Sequence, residues 1–134
     1  DYPDIPAWIT MSAQDGNSTC AGQGIGHLAE LVSKTPSVVA VGVNCTKPEF
    51  VTSLLRQLAT KTSLPLVVYP NAGRVWDGTN MCWIGAGHDK LPIHIVSEWV
   101  KTGAKLIGGC CGLGPDAITQ LDSDLVQIRN ATAK

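Results

Sequence analysis

The stretch Val38-Val39-Ala40-Val41-Gly42-Val43-Asn44-Cys45 decides the fold. Its β-branched side chains run on without polar interruption, and this predicts a parallel strand buried on both faces, since a half-exposed strand would alternate apolar and polar residues. Three further runs share the character: Ala7 to Ser12 (AWITMS), Leu66 to Tyr69 (LVVY) and Lys105 to Gly109 (KLIGG). Helical patterns lie between and after them. Phe50, Val51, Leu54, Leu55 and Leu58 recur at the helical period behind Thr46 and Glu49, which have capping-box spacing. His27 to Lys34, Ile93 to Lys101 and Asp116 to Arg129 are the others, the last with an apolar stripe of Ile118, Leu121, Leu125 and Ile128. The order is β-α, repeated.

Strand starts at Ala7, Val38, Leu66 and Lys105 fall roughly 30 to 40 residues apart, and a (β/α)8 barrel of about 250 residues allots roughly 31 to each unit. The reading is therefore an α/β chain of parallel β/α units, about four strands and four helices, equal to half of such a barrel. An open sheet of parallel strands is the competing arrangement. Gly22-Gln23-Gly24-Ile25-Gly26 lacks the glycine offset of a dinucleotide loop and does not closely follow its strand, which disfavours a nucleotide fold.

At 134 residues the chain is long enough for one domain, 1–134, and too short for two. A net charge of −1 with no basic run excludes nucleic acid and anionic membrane as natural partners. No apolar run approaches the roughly 20 residues of a membrane span. Five cysteines, an odd number, with no signal-like opening, point to reduced thiols in the cytoplasm rather than to a secreted disulfide framework. A first residue Asp1 in place of Met reads as a processed or excerpted piece.

The loops at the strand C-terminal ends, 13–26, 71–92 and 110–114, are rich in Gly, Asn, Asp and Cys, and in β/α folds that edge carries the chemistry. Cys45 follows the second strand, while Cys110 and Cys111 close the fourth. Three thiolates from two non-adjacent strands can converge on one zinc and leave its fourth position open, the arrangement of a catalytic rather than a structural site. Each cysteine taken singly also reads as a small buried hydrophobe, and that reading is kept for Cys20 and Cys82. A redox disulfide between the vicinal pair is a further alternative, disfavoured by ring strain and by the third thiol.

Gly42-Val43-Asn44-Cys45 and Gly108-Gly109-Cys110-Cys111-Gly112, with Tyr69-Pro70-Asn71 between them, resemble the homocysteine S-methyltransferase family from Trp8 to about Ile118. The resemblance implies a zinc-dependent (β/α)8 barrel that converts homocysteine to methionine, with Cys45, Cys110 and Cys111 as zinc ligands. The implied chemistry is coherent: a free thiol with a pKa near 8.5 is mostly protonated at neutral pH, and metal coordination deprotonates it for attack on a sulfonium methyl group. S-methylmethionine and S-adenosylmethionine are both open as donors. Asn44, Tyr69 and Asn71, at strand ends beside the metal, are the candidate substrate-binding residues, with turn or packing roles as the alternative.

Trp8 and Trp76 each read as pocket wall or core, with core favoured for Trp8. His27, His88 and His94 read as surface or helix residues, and Asp15 either positions substrate or is a solvated loop carboxylate. The chain begins at what resembles the family's fifth strand, so it matches the C-terminal half and lacks groups that hold the amino-acid portion of homocysteine. Asn71-Ala72-Gly73-Arg74 also departs from relatives, which carry an acidic residue where Arg74 stands. A non-catalytic alternative therefore stands beside the enzyme: a zinc-binding half-barrel that associates with another copy through exposed edges.

Overall fold

A computed structural model describes residues 5–32 and 34–132. Four parallel strands form its main sheet in the order β1 (Ala7–Met11), β2 (Val38–Asn44), β3 (Leu66–Tyr69) and β6 (Ala104–Ile107). Helices α1 (Gly26–Val32), α2 (Pro48–Ala59) and α3 (Ile93–Thr102) connect them, and α4 (Pro115–Thr132) follows β6. The predicted end of the first helix at Lys34 crosses Ser33, which lies outside the described residues.

Register places Trp8, Thr10, Ala40, Gly42, Asn44, Val67, Tyr69 and Leu106 on one face of the sheet. The opposite face, with Val41, Val43, Leu66, Val68 and Ala104, shares a single apolar cluster with residues from every helix, among them Leu28, Leu54, Val96, Trp99 and Leu121. All helices thus wind on one side. Burial on both faces holds for the central strands, where Ala40 and Val67 are buried, and fails at the flanking ones: Trp8 is 53% exposed and Leu106 38%. Trp8 is not core but the wall of an open cleft with Val67, Tyr69, Leu106 and Gly108. Its environment depends on what faces the sheet, and the local run AWITM carries no information about that.

Helix α2 is the centre of the packed side. Pro48 opens it, where a missing N–H costs nothing, and Val51, Leu54, Leu55 and Leu58 are fully buried. The predicted capping box is not formed. The cap position is Lys47 without a side-chain bond, because Thr46 is used elsewhere: its Oγ1 accepts from Ala13 N and donates to the Asn44 carbonyl, both at 2.9 Å. Trp99 of α3 is fully buried and donates Nε1–H to Thr52 Oγ1 at 3.1 Å. Gly103 ends α3 in the left-handed region (φ 111°), its N–H meeting the last carbonyls. On α4 the buried face is Ala117, Leu121, Asp124 and Ile128, turned from the predicted stripe so that Ile118 is exposed.

The loop after β3 contains an unpredicted hairpin, β4 (Val75–Asp77) against β5 (Cys82–Ile84). Asp77 organises its turn by accepting from the Thr79 and Asn80 N–H groups. Trp76 fills neither core nor pocket; it lies edge-on to Trp83 with ring centroids 5.3 Å apart.

Gly42 of β2 leaves no room for a side chain against β3: a Cβ there would sit 1.7 Å from the Val67 carbonyl oxygen. Backbone cannot yield to that overlap without separating two central strands. Gly42→Ala is therefore expected to destabilise the chain by about 3 kcal/mol in urea unfolding. Gly26→Ala, where a Cβ would meet nothing within 4 Å, is expected to stay within about 0.5 kcal/mol.

Candidate metal centre

The residues after β3 bring the cysteines together. Tyr69 O accepts from Cys45 N at 2.9 Å, and Pro70 O accepts from Cys110 N at 2.8 Å. Asn71 N donates to Thr46 O at 3.1 Å and Ala72 N to Cys111 O at 2.9 Å. The buried Asn71 side chain donates Nδ2–H to the Cys45 carbonyl at 3.1 Å and accepts from Gly73 N at 2.7 Å. Cys45 itself turns into the left-handed region, φ 44°, which costs a non-glycine residue energy and is held by those bonds to both of its backbone groups.

On the other side, β6 ends at Ile107, short of the predicted Gly109, but the chain continues alongside β3 through Gly108 N to Val68 O at 2.8 Å. Gly112 (φ 84°) permits close approach, since a Cβ there would lie 2.7 Å from Ala72 Cβ. A Cβ at Gly109 would lie 2.9 Å from Leu113 Cβ. The glycines flanking the vicinal pair are thus needed for packing.

The outcome is a cluster in which the Cys45, Cys110 and Cys111 sulfur atoms all lie within 4.8 Å of one another. Cys45 Sγ donates to Cys111 Sγ at 3.4 Å, and Cys110 Sγ lies 3.8 Å from Cys111 Sγ. Zn–S bonds of about 2.3 Å at tetrahedral angles put sulfurs roughly 3.8 Å apart, so the donor type and spacing fit a metal ion that takes thiolates. Burial pushes the Cys45 thiol up to about 12, with the neighbouring Cys111 and Cys110 thiols adding to the rise. In the metal-free chain Cys45 is therefore a neutral thiol at pH 7, and metal binding must displace its proton.

Cys20 and Cys82 are exposed and outside the cluster. The histidines also stay outside it among the described residues: His94 is on α3, His27 on α1, and His88 donates its N–H to Ala72 O from the end of the hairpin loop. Asp15 accepts from Asn17 N and Ser18 N at 2.8 and 2.7 Å, bonds that lower its pKa while tying its own loop. Arg74 is exposed at the stem of the hairpin. Asn44 and Tyr69 are register partners at the rim. Two hydroxyl roles escaped the sequence: that of Thr46, read as a helix cap, which joins the first two strand ends, and that of Thr10, whose Oγ1 lies 2.6 Å from the Tyr69 hydroxyl. A lone threonine in an apolar strand carries no signal of such a partner.

The family pattern described as homocysteine S-methyltransferase matches residues 1–125. The chain belongs to this family. Homocysteine S-methyltransferase 1 of Arabidopsis thaliana is 39% identical to it over 124 residues, covering 90% of this chain and 38% of that protein. Selenocysteine Se-methyltransferase of Brassica oleracea var. italica is 34% identical over 129 residues, covering 94% of this chain and 37% of the relative. Among solved structures, the metallated form of the homocysteine methyltransferase MmuM from Escherichia coli superimposes with a TM-score of 0.72 at 33% identity, over 91% of this chain and 36% of that one. The chain thus spans well under half the length of the relatives it matches.

The raised Cys45 pKa has a direct readout. In metal-free protein at pH 8, iodoacetamide is expected to alkylate Cys45 much more slowly than Cys20. The Cys45 rate should climb about tenfold per pH unit towards pH 12 as the thiolate fraction grows. Mass spectrometry of the labelled peptides measures both.

Proposed function

We propose that this chain is the metal-bearing half of a homocysteine S-methyltransferase, the C-terminal half of a (β/α)8 barrel spanning residues 1–134. Homocysteine would accept a methyl group from a sulfonium donor, S-methylmethionine or S-adenosylmethionine, to give methionine. The observation that carries this reading is the convergence of Cys45, Cys110 and Cys111 at one strand-end rim. One-sided winding supports the barrel, because a doubly wound sheet carries helices on both faces whereas a barrel carries them outside only.

Cys45, Cys110 and Cys111 would hold zinc as thiolates and leave room for one more ligand. Zinc, when bound, supplies the positive charge that favours the thiolate of homocysteine at neutral pH. Asn44, Tyr69 and Asn71 would border the substrate, with Asn71 also fixing Cys45 through its carbonyl. No general base is required of the chain, since the methyl carbon leaves a sulfonium as a neutral thioether departs. Free thiols at the site suit the reducing cytoplasm. No helix among the described residues is long and apolar enough to cross a membrane.

The exposed Trp8 and Leu106 favour a second reading, in which the open face pairs with another copy of the chain. Light scattering separates the two: a metal-loaded monomer removes self-association, and a dimer retains it.

Wild-type chain should bind one zinc, and Cys45→Ser should lose most of it, while Cys20→Ser and Cys82→Ser should match wild type in metal analysis after dialysis. Equal zinc in wild type and Cys45→Ser would overturn the ligand assignment. Zinc affinity should rise with pH between 6 and 8, because binding releases thiol protons. With the barrel complete, methionine formation from homocysteine, assayed with each donor, should fall to background after exhaustive chelation. Turnover surviving with zinc confirmed absent would overturn the chemistry.

A further inference from the structure

Strands β1 and β3 are separated by β2, yet Thr10 Oγ1 of the first and the Tyr69 hydroxyl of the third lie 2.6 Å apart. Two strand spacings are about 9.6 Å. The phenol spans them diagonally because Tyr69 stands beside Asn44, whereas Thr10 stands beside Gly42, which presents no side chain to block the crossing. The ring therefore lies on the helix-free face, where it walls a cleft of about 320 Å³ with Trp8, Val67, Leu106 and Gly108. The same residue's carbonyl receives the Cys45 N–H. One end of Tyr69 thus ties down a sulfur ligand, and the other is held by Thr10.

A phenol has one donor and acceptor capacity besides. Whichever partner donates in the pair with Thr10, one polar function of the Tyr69 hydroxyl remains for a ligand. Both strands already hydrogen-bond to β2, so the side-chain bridge adds little to sheet integrity; its effect is to remove the freedom of a half-buried ring. We propose that Thr10 is a positioning residue for substrate. In this reading a thiol ligand whose sulfur is at the cysteine cluster would meet Tyr69, whose backbone is bonded to Cys45, and the hydroxyl held by Thr10 would take up its amino-acid portion. The proposal rests on the reading that this cluster holds a metal that accepts a thiol.

The test uses the protein with its barrel complete, loaded with cobalt(II), whose visible absorption reports an added sulfur ligand. L-homocysteine is titrated in, and 2-mercaptoethanol serves as a thiol without the amino-acid portion. Thr10→Val should load cobalt like wild type and bind L-homocysteine about 3–10-fold more weakly, the range expected for one lost hydrogen bond. Thr10→Ser should restore binding, 2-mercaptoethanol affinity should be the same in all variants, and Thr10→Val should add nothing in a Tyr69→Phe background. Tyr69→Phe keeps the ring and removes the hydroxyl that Thr10 holds, so even if Thr10→Val folds poorly Tyr69→Phe should by itself weaken L-homocysteine binding and leave 2-mercaptoethanol unchanged. Unchanged homocysteine affinity in Thr10→Val, equal weakening for both thiols, loss of cobalt, or additivity with Tyr69→Phe would each overturn the proposal. If wild-type cobalt protein responded to neither thiol, the underlying metal reading would fall and this inference with it.

Discussion

The short backbone from Tyr69 to Ala72 is the constraint on which the rest of the site depends. Its carbonyls face Cys45 and Cys110, and its N–H groups face Thr46 and Cys111, so one segment is hydrogen-bonded to both cysteine-bearing turns. Proline at position 70 suits this place: it has a carbonyl to offer and no N–H to satisfy. Asn71 does the opposite and binds through its main-chain N–H, its amide nitrogen and its amide oxygen. A left-handed Cys45 and a glycine at 112 are what the adjoining chains give up to meet this segment. The three sulfurs lie together because the backbones beneath them are tied.

That rim sits on a sheet with two unlike faces. On one, the side chains of β2 and β3 join the buried cores of the helices, with α2 and Trp99 at the centre. On the other, Trp8, Val67 and Leu106 are apolar without a helix above them. Apolar residues on a face with no helices are what a barrel interior requires, where facing strands supply the missing cover. The chain belongs to the homocysteine S-methyltransferase family and spans well under half the length of the relatives it matches.

The same two-faced construction places the chemistry. Cys45 follows a central strand and Cys110 follows an edge strand, with β3 between them. The ends of parallel strands share one rim, and the bonds from Tyr69 and Asn71 to Cys45 hold the first cysteine beside the others. Burial and thiol neighbours then keep Cys45 protonated in the absence of metal. This couples any metal bound there to proton release.

Local pattern was enough for β2, β3 and the buried face of α2, because continuous β-branched runs and a 3.6-residue apolar repeat are properties of neighbouring residues. It was also enough to single out Cys45, Cys110 and Cys111, since position after a strand is itself a sequence property and parallel strands end on a common edge. The hairpin at Val75 to Ile84 escaped, its strands being too short for alternation to register. Thr46 was misread as a helix cap because its partner, Ala13 N, lies 33 residues away. Trp8 was misread as core because apolarity says that a side chain avoids water and not which element covers it. The sequence alone therefore determined the kind of chain, its repeating β/α units and the three cysteines that cluster. Only the tertiary structure decided which face the helices cover, how Tyr69 crosses Gly42 to reach Thr10, and what each lone hydroxyl binds. Those facts are contacts between distant segments, and no local pattern specifies them.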